Sequence, residues 1–192
     1  MAPVGHVYLV ATPEVAVRDH AITASYLASD ATSANLNVVL TVRNYTNAEV
    51  RRWYRVTLKD SNNTKVNSME ESVNVPAAAD GTAGETSLSI ALKGLTGLHP
   101  WSAEDPYLYN VEISQHDSDN NEEMAFNTKW GFRNITKQGN LIYVNNKRVF
   151  FKGVNTQDTH PEYGRAIDTE TMLKDLTMMK QANINTVRTS HY

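Results

Sequence analysis

The residue types best suited to binding chemistry lie at the ends of two short apolar segments, close to the end of the sequence. Asn155 and Gln157 follow the first of these segments, and Arg188 and His191 end the second. A guanidinium pairs well with carboxylates, and a glutamine amide hydrogen-bonds a hydroxyl group although it cannot be protonated. The alternative interpretation is structural, with Asn155 as a turn residue, Arg188 in a strand-end ion pair and His191 on the surface.

Two other groups of residues are weaker candidates, one for a nucleophile–base pair and one for a calcium site. Ser190 and His191 are adjacent, and because neighbours on a strand point to opposite faces, they cannot pair directly as nucleophile and base. The run 117–123 begins like a calcium loop, but Glu122 occupies the sixth position, where glycine is needed, and Thr128 the twelfth, where glutamate is needed. We therefore predict a polar hairpin tip at this run, and neither a metal site nor a cofactor site in these 192 residues.

The three tryptophans, Trp53, Trp101 and Trp130, allow two interpretations. They could form a platform on which sugar rings stack, or they could belong to a hydrophobic core and to a junction between domains. Because tryptophan is usually well buried, the prediction favours the core and the junction.

The overall composition limits the function classes. Of 192 residues, 41% are hydrophobic and 20% are charged, which is typical of a globular protein with one domain and part of another. The net charge of −3 does not favour nucleic-acid binding, and no apolar run approaches the roughly 18–20 residues of a membrane helix. The absence of cysteine excludes a disulfide scaffold, a thiolate zinc site and a cysteine nucleophile. The first residues lack the pattern of a signal peptide, and the sequence leaves the compartment open.

The first two thirds of the sequence predict short β-strands. Hydrophobic residues alternate with others along 36–42 and again along 54–58, which is the period of a strand with one buried face. Further candidate strands are 20–28, 65–73, 86–92, 107–115 and 123–131. Turn-forming segments separate them. About seven strands at this spacing predict an immunoglobulin-like antiparallel β-sandwich over residues 1–134, without a disulfide.

A different pattern begins in the last third of the sequence. The segments 141–144 and 147–151 flank Asn145 and Asn146, which suit the type I′ turn of a β-hairpin. The apolar run 149–154 then predicts a buried strand.

The remaining segments complete a β-α-β unit. A helix is predicted to begin at Asp168, a good N-cap, and to end near Asn183, because apolar residues recur at helical spacing between them. The run 184–189 predicts a second buried strand. A strand, a helix and a strand joined by a crossover of this length form a parallel, right-handed unit. Since a parallel sheet must be covered on both faces, we interpret residues 135–192 as the first β-α-β elements of a truncated (β/α)8 barrel.

Several segments carry a likeness to one enzyme family. They are Pro100–Tyr109, Trp130–Arg133, Gly153–Asn155, His160–Gly164, the helix 171–181 and Asn185–Tyr192. In this order and at this spacing, they resemble the sandwich domain and the first two barrel strands of family 2 glycoside hydrolases, most closely bacterial β-galactosidases. The likeness covers residues 100–192 well and residues 1–99 only in strand pattern.

The resemblance implies a retaining glycosidase, which uses two carboxyl groups about 5–5.5 Å apart as nucleophile and general acid/base. In this family both are glutamates on later barrel strands. We therefore expect no catalytic residue among these 192 residues, and no activity from this fragment alone. The likeness further implies that Arg188 organises carboxylates, that His191 contacts sugar hydroxyls and that Asn155 lines the same pocket.

Two positions qualify the likeness to β-galactosidases. Gln157 stands where these enzymes usually have a histidine that meets the substrate, and this departure weakens the case for galactose. His160 keeps the family pattern before Pro161, and it fits either a site role or a structural role.

Two function classes follow. In the first, the chain is a fragment of a hydrolase whose partner is a terminal β-galactoside or a related β-glycoside, with the sandwich as a spacer and no nucleic-acid or membrane partner. In the second, it is a non-catalytic β-sandwich module that binds carbohydrate or protein, which leaves residues 149–192 unexplained. We prefer the first, and leave open whether the chain forms homo-oligomers, as many relatives do. The strands near 149–154 and 184–189 are expected to expose apolar faces and an unpaired edge.

Overall fold

The computed structural model describes residues 8–190 of the chain. The described residues divide into two compact units, one formed by residues 11–148 and the other by residues 149–190 together with residues 8–10. The first unit continues past residue 134, the domain boundary predicted from the sequence, and includes the predicted hairpin turn.

Seven antiparallel strands build most of the first unit. In chain order they are β1 (Val15–Tyr26), β2 (Ala34–Asn44), β3 (Val50–Lys59), β4 (Lys65–Val75), β5 (Gly84–Leu95), β6 (Tyr109–His116) and β7 (Glu122–Trp130). One sheet has the order β1-β2-β5 and the other the order β4-β3-β6-β7. The predicted β-sandwich is confirmed, and each of the predicted strands has an observed counterpart.

Alternation along the strands fills the hydrophobic core of the sandwich. Leu36 and Leu40 of β2 are fully buried, whereas the residues between the inward positions are only partly buried. The four-stranded sheet contributes Val56 and Ile113, which are also fully buried. Burial of one such side chain stabilises the fold by about 1.5–3 kcal/mol, so this cluster is a main source of stability.

A buried amide links the two sheets. Gln115 of β6 is 1% exposed, and its Nε2 donates to the carbonyl oxygen of Val15 (2.7 Å) and to Oε2 of Glu123 (2.8 Å). Nε of Arg52 donates to the same carboxylate oxygen over 2.6 Å. Because Val15 begins β1 and Gln115 lies in the four-stranded sheet, this network holds an edge strand of one sheet against the other.

A small three-stranded sheet ends the first unit. It consists of β8 (Ile135–Gln138), β9 (Leu141–Val144) and β10 (Lys147–Arg148), in the order β10-β9-β8. The backbone φ angles of Asn145 (50°) and Asn146 (62°) are positive, as a type I′ turn requires, so the predicted hairpin is confirmed. Its second strand is shorter than predicted. The sequence did not predict β8, in which every residue is exposed.

The second unit has the order β11 (Gly153–Thr156), α1 (Thr169–Gln181) and β12 (Thr186–Thr189). The two strands pair in parallel, as predicted. Asp168 caps α1, since its Oδ1 accepts a hydrogen bond from the amide of Thr171 over 2.8 Å. Asn183, with a φ of 59°, lies just beyond the end of the helix. These are the β-α-β elements with which a (β/α)8 barrel begins.

Side chains in the second unit are far more exposed than those in the sandwich. No residue of α1 is buried, and Leu173 and Leu176 are 59% and 53% exposed. Phe150 and Phe151 precede β11 and are 61% and 60% exposed, so the predicted buried strand over 149–154 is wrong in its start and in its burial. The burial predicted for β12 is also wrong. The predicted exposure of apolar side chains is confirmed.

The helix of the second unit, α1, is short. In the part of the chain that the structure describes, no helix is both long enough and apolar enough to cross a membrane. At 13 residues, α1 is shorter than the roughly 20 that such a helix needs.

Candidate functional site

Asn155 and Arg188, two of the predicted site residues, are direct neighbours across β11 and β12. Their Cα atoms are register partners, as are those of Thr156 and Thr189 one position later. Partners in register lie on the same face of a sheet, so the Asn155 amide and the Arg188 guanidinium share one face. Both residues are exposed. The structure thus brings these two residues together near the carboxyl ends of both strands.

The pairing continues past the end of β12, where the amide of Ser190 donates to the carbonyl oxygen of Thr156 over 2.9 Å. Gln157 comes directly after β11 and is exposed, so it lies at the same edge of the sheet as Asn155. His191 lies outside the described residues, and its role stays a prediction. The edge therefore combines two amides and a guanidinium, a set that can bind hydroxyl groups and carboxylates.

The loop after Gln157 is organised around His160. Its backbone exchanges two hydrogen bonds with Gly164, of 2.6 and 3.0 Å. Its ring stacks on Tyr163, with 4.6 Å between centroids, and its Nδ1 accepts hydrogen bonds from the amides of Glu162 (3.1 Å) and Tyr163 (3.3 Å). These contacts support the structural interpretation of His160.

The side chain of Asn185 joins the start of β12 to the chain before β11. Its Nδ2 donates to the carbonyl oxygen of Phe150 (2.8 Å), and its Oδ1 accepts from the amide of Lys152 (2.8 Å). The hydroxyl of Thr186 donates to the same Oδ1 over 2.9 Å. Sequence reasoning used Asn185 only as part of a family-like segment. The signal that the sequence offered is an amide side chain, which both donates and accepts, within the run 184–189 that was predicted to be a buried strand.

Two carboxylates with lowered pKa values have structural roles. The amide of Thr171 donates to Asp168 and lowers the pKa of that carboxyl group. Hydrogen bonds from the side chain and the amide of Asn121 lower the pKa of Asp117 at the tip of the β6–β7 hairpin. The predicted polar hairpin tip is therefore confirmed. Among residues 8–190, no group of three or more histidine, cysteine, aspartate or glutamate side chains could hold a metal ion.

The structure separates Trp53 from Trp130. Trp53 is the register partner of His116, and Trp130 is that of Tyr109, at opposite ends of β6. Trp130 packs against the core, whereas Trp53 lies on the outer face of its sheet, because its neighbour Tyr54 points inward and is fully buried. The core prediction is confirmed for Trp130 and wrong for Trp53. These two rings cannot form one stacking platform.

Trp101 packs against Gly131 and Arg133 within the first unit. The guanidinium carbon of Arg133 lies 4.8 Å from the centroid of the Trp101 ring. The backbone amide of Trp101 donates to the carbonyl oxygen of Phe132 over 2.9 Å. A Cβ on Gly131 would come within 3.0 Å of the Trp101 side chain, so only glycine fits there without a shift. The Nδ2 of Asn145 donates to the carbonyl oxygen of Trp101 over 2.8 Å. The first two family-like segments therefore pack against each other.

Comparisons with known proteins connect this architecture to one family. The family model described as "Glycosyl hydrolases family 2" matches residues 15–133, and the one described as "Glycosyl hydrolases family 2, TIM barrel domain" matches residues 135–192. The chain is 44% identical over 109 residues to a β-galactosidase of Streptococcus thermophilus, which covers 57% of this chain and 10% of that protein. It is 33% identical over 190 residues to β-galactosidase BgaC of Bifidobacterium adolescentis, which covers 97% of this chain and 17% of that protein.

Solved structures show the same fold. A β-glucuronidase of Bacteroides uniformis superposes on 94% of this chain with a TM-score of 0.82 and 18% sequence identity, over 22% of its own chain. At this identity the likeness concerns the fold alone. The chain spans only 10% and 17% of the length of the two curated relatives.

Proposed function

The chain belongs to glycosyl hydrolase family 2, and from this premise we propose that it supplies the sandwich domain and the first barrel elements of a retaining β-galactosidase. Two relatives that carry the name β-galactosidase support the substrate class, a terminal β-galactoside or a related β-glycoside. The observation that carries the proposal is Asn155 opposite Arg188, near the carboxyl ends of a parallel strand pair. Barrel enzymes hold their active sites at that end of the strands.

In this proposal, the exposed residues bind and orient but do not break the glycosidic bond. The guanidinium of Arg188 forms charge-assisted hydrogen bonds to carboxylates. A positive charge beside a carboxyl group also favours its ionised form, which a carboxylate nucleophile needs. The amides of Asn155 and Gln157 hydrogen-bond sugar hydroxyls, and His191 adds a further contact to the sugar.

We assign the two catalytic carboxyl groups to the part of the enzyme outside these 192 residues. Retaining hydrolysis needs one carboxylate to attack the anomeric carbon and one carboxylic acid to protonate the leaving oxygen, about 5–5.5 Å apart. The 192-residue chain alone is therefore proposed to be inactive. Since carboxyl groups and water carry out both steps, the proposal assigns no cofactor to the chain. The sandwich acts as a structural spacer.

Hydrolysis of a panel of 4-nitrophenyl β-glycosides tests the proposal, with the full-length protein as the enzyme and the 192-residue chain as its control. We expect the full-length protein to release nitrophenol from the β-galactoside, and the chain alone to release none. Cleavage of a β-glucuronide or β-glucoside in place of the galactoside would show that the proposed substrate is wrong and that the proposed reaction class is right. A full-length protein that cleaves nothing in the panel, or an active 192-residue chain, would contradict the proposal.

A further inference from the structure

Asn185 makes three hydrogen bonds at the point where β12 begins. Two of them cross to the segment before β11, one to the Phe150 carbonyl and one from the Lys152 amide. The third comes from Thr186, the next residue along the chain, and orients the Asn185 amide. A backbone hydrogen bond from the Asn185 amide to the Lys152 carbonyl (3.1 Å) lies beside them. The side chain therefore adds contacts at the start of a parallel pair.

Among the described residues of the second unit, burial does little to specify how β12 aligns with β11. Each strand has four residues, and none of their side chains is buried. Register is specified strongly where one face of a strand is buried and weakly where both faces are exposed. A slip of one residue would move every side chain of β12 to the other face. Arg188 would then no longer share a face with Asn155.

We propose that Asn185 is a positioning residue whose side-chain amide fixes the register of β12 against β11, and so keeps Arg188 on the same face as Asn155. The functional meaning of Arg188 rests on the proposed function, whereas the register does not. Asparagine suits this role because its Oδ1 accepts from Lys152 while its Nδ2 donates to Phe150. Aspartate would keep the acceptor and place a second oxygen against the Phe150 carbonyl, and alanine would remove both contacts.

Engineered cysteine pairs measure the register directly, because the chain has no cysteine of its own. Val154 and Val187 are register partners, so V154C/V187C places both thiols on one face at disulfide distance. V154C/R188C reports the slipped register, since those two side chains point to opposite faces in the observed structure. After mild oxidation of the dilute 192-residue chain, mass spectrometry gives the yield of the intramolecular disulfide in each variant.

With Asn185 present, we expect the in-register pair to form at least about tenfold more disulfide than the slipped pair. N185A should reduce this ratio by about tenfold, because two hydrogen bonds are lost, and N185D should also reduce it. T186V, which removes only the orienting hydroxyl, should reduce it about twofold. N127A, at an exposed asparagine of β7, is the matched control and should leave the ratio unchanged.

The ratio separates positioning from a general structural role. A residue that only stabilises the fold would lower the melting temperature and leave the ratio unchanged when it is measured well below that temperature. An unchanged ratio in N185A would overturn the proposal, and so would failure of the in-register pair to form in the presence of Asn185. Since the readout involves no glycoside, the proposal can stand or fall independently of the proposed function.

Discussion

The sandwich and the β11–α1–β12 unit arise from equally regular sequence patterns but reach different degrees of burial. Every inward-facing residue of β2 from Leu36 to Val42 is fully buried, whereas no residue of α1 is buried. The strands of residues 11–148 find their partners within that unit. Among the described residues, the apolar side chains of α1 are left largely exposed. A hydrophobic period thus predicts an element and its apolar face, and burial depends on what covers that face.

The difference in burial between the two units also assigns stability to one unit and binding to the other. The sandwich supplies the buried contacts, while the predicted binding residues Asn155, Gln157 and Arg188 lie exposed in the second unit. If this division holds, substitutions in the core should change the free energy of unfolding and spare the binding residues. Substitutions at the exposed edge should have the opposite effect.

The largest effect is expected from Arg188→Ala in the full-length enzyme of the proposed function. Loss of charge-assisted hydrogen bonds to carboxylates should lower kcat/KM by about 100-fold. In the 192-residue chain the Arg188 side chain is exposed, so the same substitution should leave the melting temperature of that chain unchanged. Steady-state kinetics and a thermal melt measure the two quantities. Arg165→Ala, at an exposed arginine in the loop before α1, is the control, and an equal loss in both variants would remove the special role of Arg188.

Leu40→Ala should have the next largest effect, on stability. The variant leaves a cavity in the sandwich core and should lower the free energy of unfolding by about 2–5 kcal/mol. Leu176→Ala removes the same side chain from α1, where it is 53% exposed, and should cost less than about 0.5 kcal/mol. Urea unfolding of the 192-residue chain measures both. Similar values for the two variants would refute the contrast between the units.

Gln115→Ala tests the buried link between the sheets. The substitution leaves the carbonyl oxygen of Val15 without its donor, which should lower the free energy of unfolding by about 1–3 kcal/mol. Asn127→Ala, at an exposed position of β7, should have little effect. Thermal unfolding followed by circular dichroism compares the two variants. If Gln115→Ala were as stable as the control, the link would contribute nothing to the sandwich.

The smallest effect concerns pH and the cap of α1. The hydrogen bond from Thr171 lowers the pKa of Asp168, so its stabilisation is present above the ordinary aspartate pKa of about 3.9 and is lost as pH falls through the lower, folded value. The protection of the Thr171 amide, which is its exchange rate compared with the intrinsic rate at the same pH, should therefore decrease in that acid range. Asp168→Asn keeps a capping oxygen that does not titrate. Equal acid sensitivity of the Thr171 amide in both proteins would exclude the carboxyl group as the cause.

Local patterns predicted most of the elements because their causes are local. The positive φ angles of Asn145 and Asn146 and the cap at Asp168 depend on residues within one turn of the chain. The first strand begins at Val15, before the predicted start at residue 20, and a register shift between Val17 and Asp19 interrupts its alternation there. In β8 every residue is exposed, so no hydrophobic period marks it.

Long-range placement was harder to predict. Residue type suggested burial for Trp53, but the position of buried Tyr54 beside it sends the tryptophan to the outer face. The juxtaposition of Asn155 and Arg188 follows from parallel pairing, which the strand-helix-strand order predicted. The role of Asn185 did not follow, because its partners Phe150 and Lys152 lie more than 30 residues away in the sequence.

Amide hydrogen exchange on the monomeric 192-residue chain tests the central contrast most directly. The sandwich buries its strands, whereas β11 and β12 are exposed. We predict slow exchange for the amides of β2, β3 and β6, and much faster exchange for those of β11 and β12. Equally slow exchange in both units would show that the second unit is stable by itself, and would contradict the account.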